Sequence, residues 1–171
     1  MPPALRTLLV VSHTHWDREW YSPFEEFRWR LVETVDQLLD LMEKNPKYAH
    51  FTLDGQTIVL DDYLTIRPEN RERIQRLVKA GRLHVGPWYV LADEFLVSGE
   101  SLVRNLLFGH QAAQSFGAVM PIGHVPDTFG HIAQLPQLLR GFGIDSTVFW
   151  RGLEDHGKTL PTELRWQAPD G

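Results

Sequence analysis

The feature that most limits the fold of this chain is a repeated alternation between short apolar runs and amphipathic stretches. Continuous runs of four or five apolar residues suit strands of a sheet covered on both faces. Thr7-Leu8-Leu9-Val10-Val11 reads as the first buried strand. His50 to Leu53, Leu83 to Val85, Ile122 to Val125 and Thr147 to Trp150 read as further strands, with Leu164-Arg165-Trp166 as another candidate. Between them the period changes. Phe24, Phe27, Leu31, Val35, Leu38, Leu39 and Met42 recur at three- and four-residue steps, which predicts a helix of roughly 20 residues closed by Asn45-Pro46. Shorter helices are expected from Gln56 to Leu64, from Pro68 to Gly81, from Glu100 to Phe116 and from Ile132 to Phe142. Strands alternating with helices predict an α/β fold with a largely parallel sheet.

Composition narrows the function classes. The 171 residues are 43% hydrophobic and 23% charged, as in a globular domain with a core. A formal net charge of -5 with no basic stripe argues against a nucleic-acid partner. With no cysteine, disulfides, thiolate metal sites and a cysteine nucleophile are excluded. No apolar run approaches a secretory core or a membrane span, so a soluble, cytoplasmic protein without a membrane partner is expected. The sequence has no Gly-x-Gly-x-x-Gly, no phosphate-binding glycine loop and no Gly-x-Ser-x-Gly, so the usual signals of nucleotide chemistry and serine hydrolysis are missing.

Chemistry-bearing residues cluster at expected strand ends, where parallel α/β folds place their sites. In His13-Thr14-His15-Trp16-Asp17, alternate side chains of an extended chain point the same way. His13, His15 and Asp17 are therefore candidate ligands of a metal that takes nitrogen and oxygen donors. Asp127, in Val125-Pro126-Asp127-Thr128-Phe129-Gly130-His131, is either a helix cap or a second acidic group on the same rim. His131 is expected to pack or cap locally. Asp93 and Glu94 read as further rim acids or as solvated loop residues. Trp16, Trp20, Trp88 and Trp150 offer flat apolar faces suited to sugar rings, with core packing as the alternative. Arg151 can hold a carboxylate through a charge-assisted pair.

Taken together, His13-Thr14-His15-Trp16-Asp17-Arg18-Glu19-Trp20, Leu53-Asp54-Gly55-Gln56, Gly86-Pro87-Trp88-Tyr89, Pro126-Asp127-Thr128-Phe129-Gly130-His131 and Phe149-Trp150-Arg151-Gly152 resemble glycoside hydrolase family 38. These are the zinc-dependent α-mannosidases, and the likeness is strongest to the bacterial branch that includes mannosylglycerate hydrolases. The resemblance implies that residues 1–171 are the N-terminal part of a seven-stranded (β/α) barrel, with the rest of the barrel and the C-terminal domains absent. It implies a retaining glycosidase acting on α-mannosides, as small mannosylated molecules or oligosaccharides. It makes His15, Asp17 and Asp127 ligands of one Zn2+, Asp127 the nucleophile, Trp20 the platform under the mannose and Arg151 the residue that steadies the nucleophile. Asp17 and Trp88 stand with Trp20 as expected sugar contacts. A fourth ligand and the general acid would lie beyond Gly171, so the fragment alone is expected to be inactive, and to persist as a homo-oligomer if its edges are left open. Two other readings remain at this stage. One is an amidohydrolase-type metal hydrolase using His13 with His15; the other is a sugar-binding module without turnover.

Overall fold

The computed structural model describes residues 7–153 and 161–171. Among the described residues, four two-residue strands and five helices follow in the order α1 (Phe24–Lys44), β1 (Phe51–Thr52), α2 (Ile58–Leu64), α3 (Arg71–Lys79), β2 (Leu83–His84), α4 (Gly99–Phe116), β3 (Gly123–His124), α5 (Leu135–Gly141) and β4 (Thr147–Val148). Short 3₁₀ turns at Pro68–Asn70 and Glu94–Leu96 complete them. β1 pairs with β2 and β3 with β4, both in parallel. A parallel bridge joins His13 to Thr52 of β1, and the Met120 N–H donates to the Val85 carbonyl between the two pairs. The segments thus follow one another across the molecule in chain order, as the α/β expectation requires.

The helices owe their positions to their apolar faces. α1 buries Phe27, Leu31, Val32, Val35, Leu38, Leu39 and Met42. At about 1.5–3 kcal/mol for each large apolar side chain taken from water, this is the main tie between α1 and the sheet. Those residues join Val59, Leu60, Tyr63, Ile74, Leu77 and Val78 around β1 and β2 in one core. A second core gathers Leu102 and Leu106 of α4, Leu135 and Leu139 of α5, Val125, Ile144 and Trp88 under β3 and β4. The Ser98 side chain accepts from the Ser101 N–H at the start of α4, a cap that stabilises by about 1 kcal/mol.

The first expected strand does not form. Leu8, Leu9, Val10 and Val11 are 85%, 84%, 80% and 69% exposed, and regular pairing begins only around His13. An apolar run becomes a buried strand only when neighbours cover both faces and edges, and no described residue does so for residues 7–11. The candidate strand at 164–166 is likewise irregular; Trp166 packs instead on Phe149 and His131. The last helix starts later than expected, at Leu135, with Pro136 in its first turn, where a missing N–H costs no helical bond.

Candidate metal and carboxylate site

The loop after the His13 bridge is held from beneath by a buried acid. Asp54 follows β1 with a left-handed φ of 42° and its side chain has no exposure. Its Oδ1 accepts from the Gly55 N–H at 2.6 Å, and its Oδ2 accepts from the Trp16 N–H and from Gln56 Nε2, each at 2.9 Å. Arg18 adds a second tie, donating from Nε at 2.6 Å and Nη2 at 2.9 Å to the two oxygens of Asp62 on α2. A bidentate guanidinium–carboxylate fork fixes direction as well as distance. Between these two anchors the backbone presents His15 and Asp17.

His15 Nε2 lies 3.5 Å from Asp17 Oδ1 and 3.7 Å from Asp127 Oδ2, while Nδ1 faces Asp54 Oδ2 at 3.7 Å. At 3.7 Å the Asp54 contact is a charge approach and not a hydrogen bond. One donor atom from each of His15, Asp17 and Asp127 falls within 4.8 Å of the others. Both ring nitrogens of His15 are buried without a hydrogen-bond partner. Asp54 first, then the charges of Asp17 and Asp127, lift the His15 pKa above its ordinary value against the opposing effect of burial. An imidazole with two unsatisfied nitrogens amid three carboxylates is unfavourable by itself, and a cation at Nε2 would satisfy that nitrogen and offset the negative charge of Asp17 and Asp127. One nitrogen and two carboxylate oxygens match the donor preferences of zinc. The residues fit a metal.

Arg151 completes the cluster from beyond β4. Its Nη2 is 3.0 Å from Asp127 Oδ1, and its guanidinium lies 4.9 Å from the Phe129 ring centre. The two Asp127 oxygens therefore face different partners, His15 on one side and Arg151 on the other. His13 stands outside the three-residue group. It is exposed, and its ring meets His124 and Trp150, each at 5.9 Å. The gathering of His15 with Asp17, and not with His13, favours this group over the His13–His15 pair that the amidohydrolase-type reading needs.

The tryptophans divide. Trp20 is 74% exposed, its ring 5.2 Å from Tyr21, so most of its surface is open to solvent. Trp88 is only 2% exposed in the second core, so packing claims the ring that was expected to meet a sugar. Asp93 and Glu94 are not free rim acids either: Asp93 accepts from the Phe129 N–H at 2.9 Å, and Glu94 is buried against His131. The sequence offered Asp54 only as part of the motif Leu53-Asp54-Gly55-Gln56 and assigned it no role in the site. It also missed His124, whose Nδ1 is buried without a partner 3.9 Å from Asp54 Oδ1. Burial chiefly, then the neighbouring histidines, push the His124 pKa down, with Asp54 opposing. Gly55 packs so closely here that a Cβ would stand 2.5 Å from the His124 carbonyl oxygen.

Parallel strands with a His/Asp cluster and a paired arginine at their carboxyl ends define the class, an α/β domain built around an acidic metal-type site. Residues 6–171 match the glycosyl hydrolases family 38 N-terminal domain, and the chain belongs to that family. A Halalkalibacterium halodurans protein named "Putative mannosylglycerate hydrolase" is 46% identical over 97% of this chain and 20% of its own length. The human "Alpha-mannosidase 2C1" is 32% identical over 86% of this chain and 16% of its own. The crystal structure of an alpha-mannosidase from Enterococcus faecalis V583 superposes with a TM-score of 0.79 at 52% identity, covering 81% of this chain and 16% of that one. The chain thus spans a fifth or less of the length of these relatives. Its homologues are named as glycoside hydrolases, and among the described residues no helix is long and apolar enough to cross a membrane.

Proposed function

We propose that this chain forms the N-terminal part of the catalytic domain of a retaining α-mannosidase that requires zinc and works in the cytoplasm on α-linked mannosides. The observation that carries the reading is Asp127, grouped with His15 and Asp17, with one oxygen turned to His15 and the other paired with Arg151. His15, Asp17 and Asp127 would hold the metal. When bound, zinc would supply a Lewis-acid template for sugar hydroxyl oxygens instead of a source of hydroxide.

The chain's own residues do the rest. An Asp127 carboxylate oxygen forms a bond to the anomeric carbon as the bond from that carbon to the leaving oxygen breaks. The leaving oxygen takes a proton from a general acid, which the family resemblance puts beyond Gly171. Water then attacks the same carbon, giving its proton back to that acid, and Asp127 is released as carboxylate with the α configuration kept. Arg151 holds the nucleophile's second oxygen in place through both turnovers of the bond. Trp20 offers its exposed face to the apolar side of the sugar ring.

The test is hydrolysis of an aryl α-mannoside by the complete gene product, with and without chelator and with zinc restored. Turnover that is lost on chelation and recovered with zinc is expected. A folded, metal-loaded protein that binds mannosides without hydrolysing them would leave the sugar-binding module as the better reading.

A further inference from the structure

Behind the nucleophile lies a buried charged pair that the mechanism above does not use. Glu94, in the turn after β2, spends both carboxylate oxygens on the loop that follows β3. Oε1 is 2.8 Å from His131 Nδ1, and Oε2 accepts from the Ile132 N–H at 2.8 Å. The other ring nitrogen of His131, Nε2, is 2.9 Å from the backbone carbonyl oxygen of Arg151, beyond β4. The Arg151 carbonyl can only accept, so Nε2 donates; against a Glu94 carboxylate, whose other oxygen already takes the Ile132 N–H, Nδ1 donates as well and the ring is an imidazolium. Its side chain has no exposure and that of Glu94 is 2% exposed.

A buried ion pair is a poor way to gain stability alone, since apolar residues of like volume often serve as well. What this one does is tie three loops together at the residue that grips Asp127. The Arg151 side chain is nearly half exposed, and its long stem has many rotamers. Its backbone, by contrast, is pinned. Gly152, at φ 89°, lies so close to the β3 loop that a Cβ would stand 2.9 Å from the Gly130 nitrogen, His131 Nε2 and the Thr128 oxygen. Asp93 holds the same loop at the Phe129 N–H, under the ring on which the guanidinium rests.

We infer that His131, charged by Glu94, is a positioning residue that sets Arg151 against Asp127, so that the nucleophile's orientation depends on an ion pair it never touches. The role assigned to Asp127 rests on the reading proposed above. The groups facing His131 are the Glu94 carboxylate, the Arg151 carbonyl and the rings of Phe149 and Trp166, so Glu94 is the titratable partner.

The test uses His131→Gln and Glu94→Gln in the complete gene product, assayed for aryl α-mannoside hydrolysis, zinc content and thermal midpoint. The expected result is a fall of about 10- to 100-fold in kcat, with KM changed by less than about 2-fold and zinc retained, the range set by small misplacements of a reacting group. Joined to Arg151→Ala, His131→Gln should add nothing further, because it acts through that residue. Full kcat in both folded variants, or additive losses in the double variant, overturns the inference while leaving the mannosidase reading standing. Imidazole nitrogen NMR of His131 gives a readout independent of turnover. Two protonated nitrogens at neutral pH support the pair even if no mannoside is cleaved, and a neutral ring overturns it.

Discussion

Asp54→Asn isolates what the buried acid contributes to the site. Asparagine keeps the size of the side chain and tolerates a left-handed φ better than most residues, so the turn at φ 42° should survive. The amide changes one acceptor into a donor. Oδ2 serves two donors and Oδ1 one, so the favourable flip keeps oxygen toward Trp16 and Gln56 and turns NH2 toward the Gly55 N–H. That replaces a hydrogen bond to a charged group by two facing donors, a loss of about 1.5–3 kcal/mol. The negative charge 3.7 Å from His15 Nδ1 disappears at the same time. A negative charge on the side of the ring away from the metal raises the basicity of a ligating imidazole, so its removal weakens metal binding, by up to the about 10- to 100-fold that a hydrogen-bonded carboxylate contributes. The assay is zinc competition against a chromophoric chelator on the complete gene product, alongside a urea titration. An unchanged zinc Kd in the folded variant would refute the argument that the Asp54 charge supports His15 as a ligand, whatever happens to stability.

Two further outcomes follow from the same geometry. Gly152→Ala should lower the urea midpoint by the equivalent of about 1–3 kcal/mol, because the added Cβ meets three atoms at 2.9 Å in a backbone region that L-residues avoid. A wild-type midpoint would show that the β3 and β4 loops are not tightly joined. For His131, burial works against the charge, but the Glu94 hydrogen bond, the Arg151 carbonyl and the Glu94 charge outweigh it and raise the pKa. A raised folded pKa means stability fully present below the unfolded value of about 6.5 and lost as pH rises through the folded pKa. Urea midpoints should therefore decline above about pH 6.5, and His131→Gln should flatten that limb; an identical decline in the variant would assign it to another group.

What the sequence could show depended on range. α1 was legible because a three- and four-residue apolar spacing is a local property of the chain, and the same holds for the apolar runs that became β1 to β4. The run at Leu8 to Val11 has the same local signature, but burial is decided by neighbours that no local pattern records. At the site, the pairing of His15 with Asp17 follows from two-residue alternation. Asp127 lies 110 residues away, and family motifs, more than spacing, pointed to it. Asp54 and Glu94 were opaque for a plain reason. An acid before glycine, or one on a loop, looks solvated until distant N–H groups and a histidine 37 residues away close around it.

The missing side chain at Gly55 has a consequence for the width of the site. Asp54, just after β1, supports His15, and β3 leads to Asp127, so the separation of these two strand ends sets the distance across which His15 faces Asp127. At their nearest approach the His124 carbonyl occupies the space a methyl group at position 55 would need. Any larger residue there acts as a wedge between the two ligand-bearing loops. The aperture available to a cation is thus held by an absence of atoms, at a residue that ligates nothing.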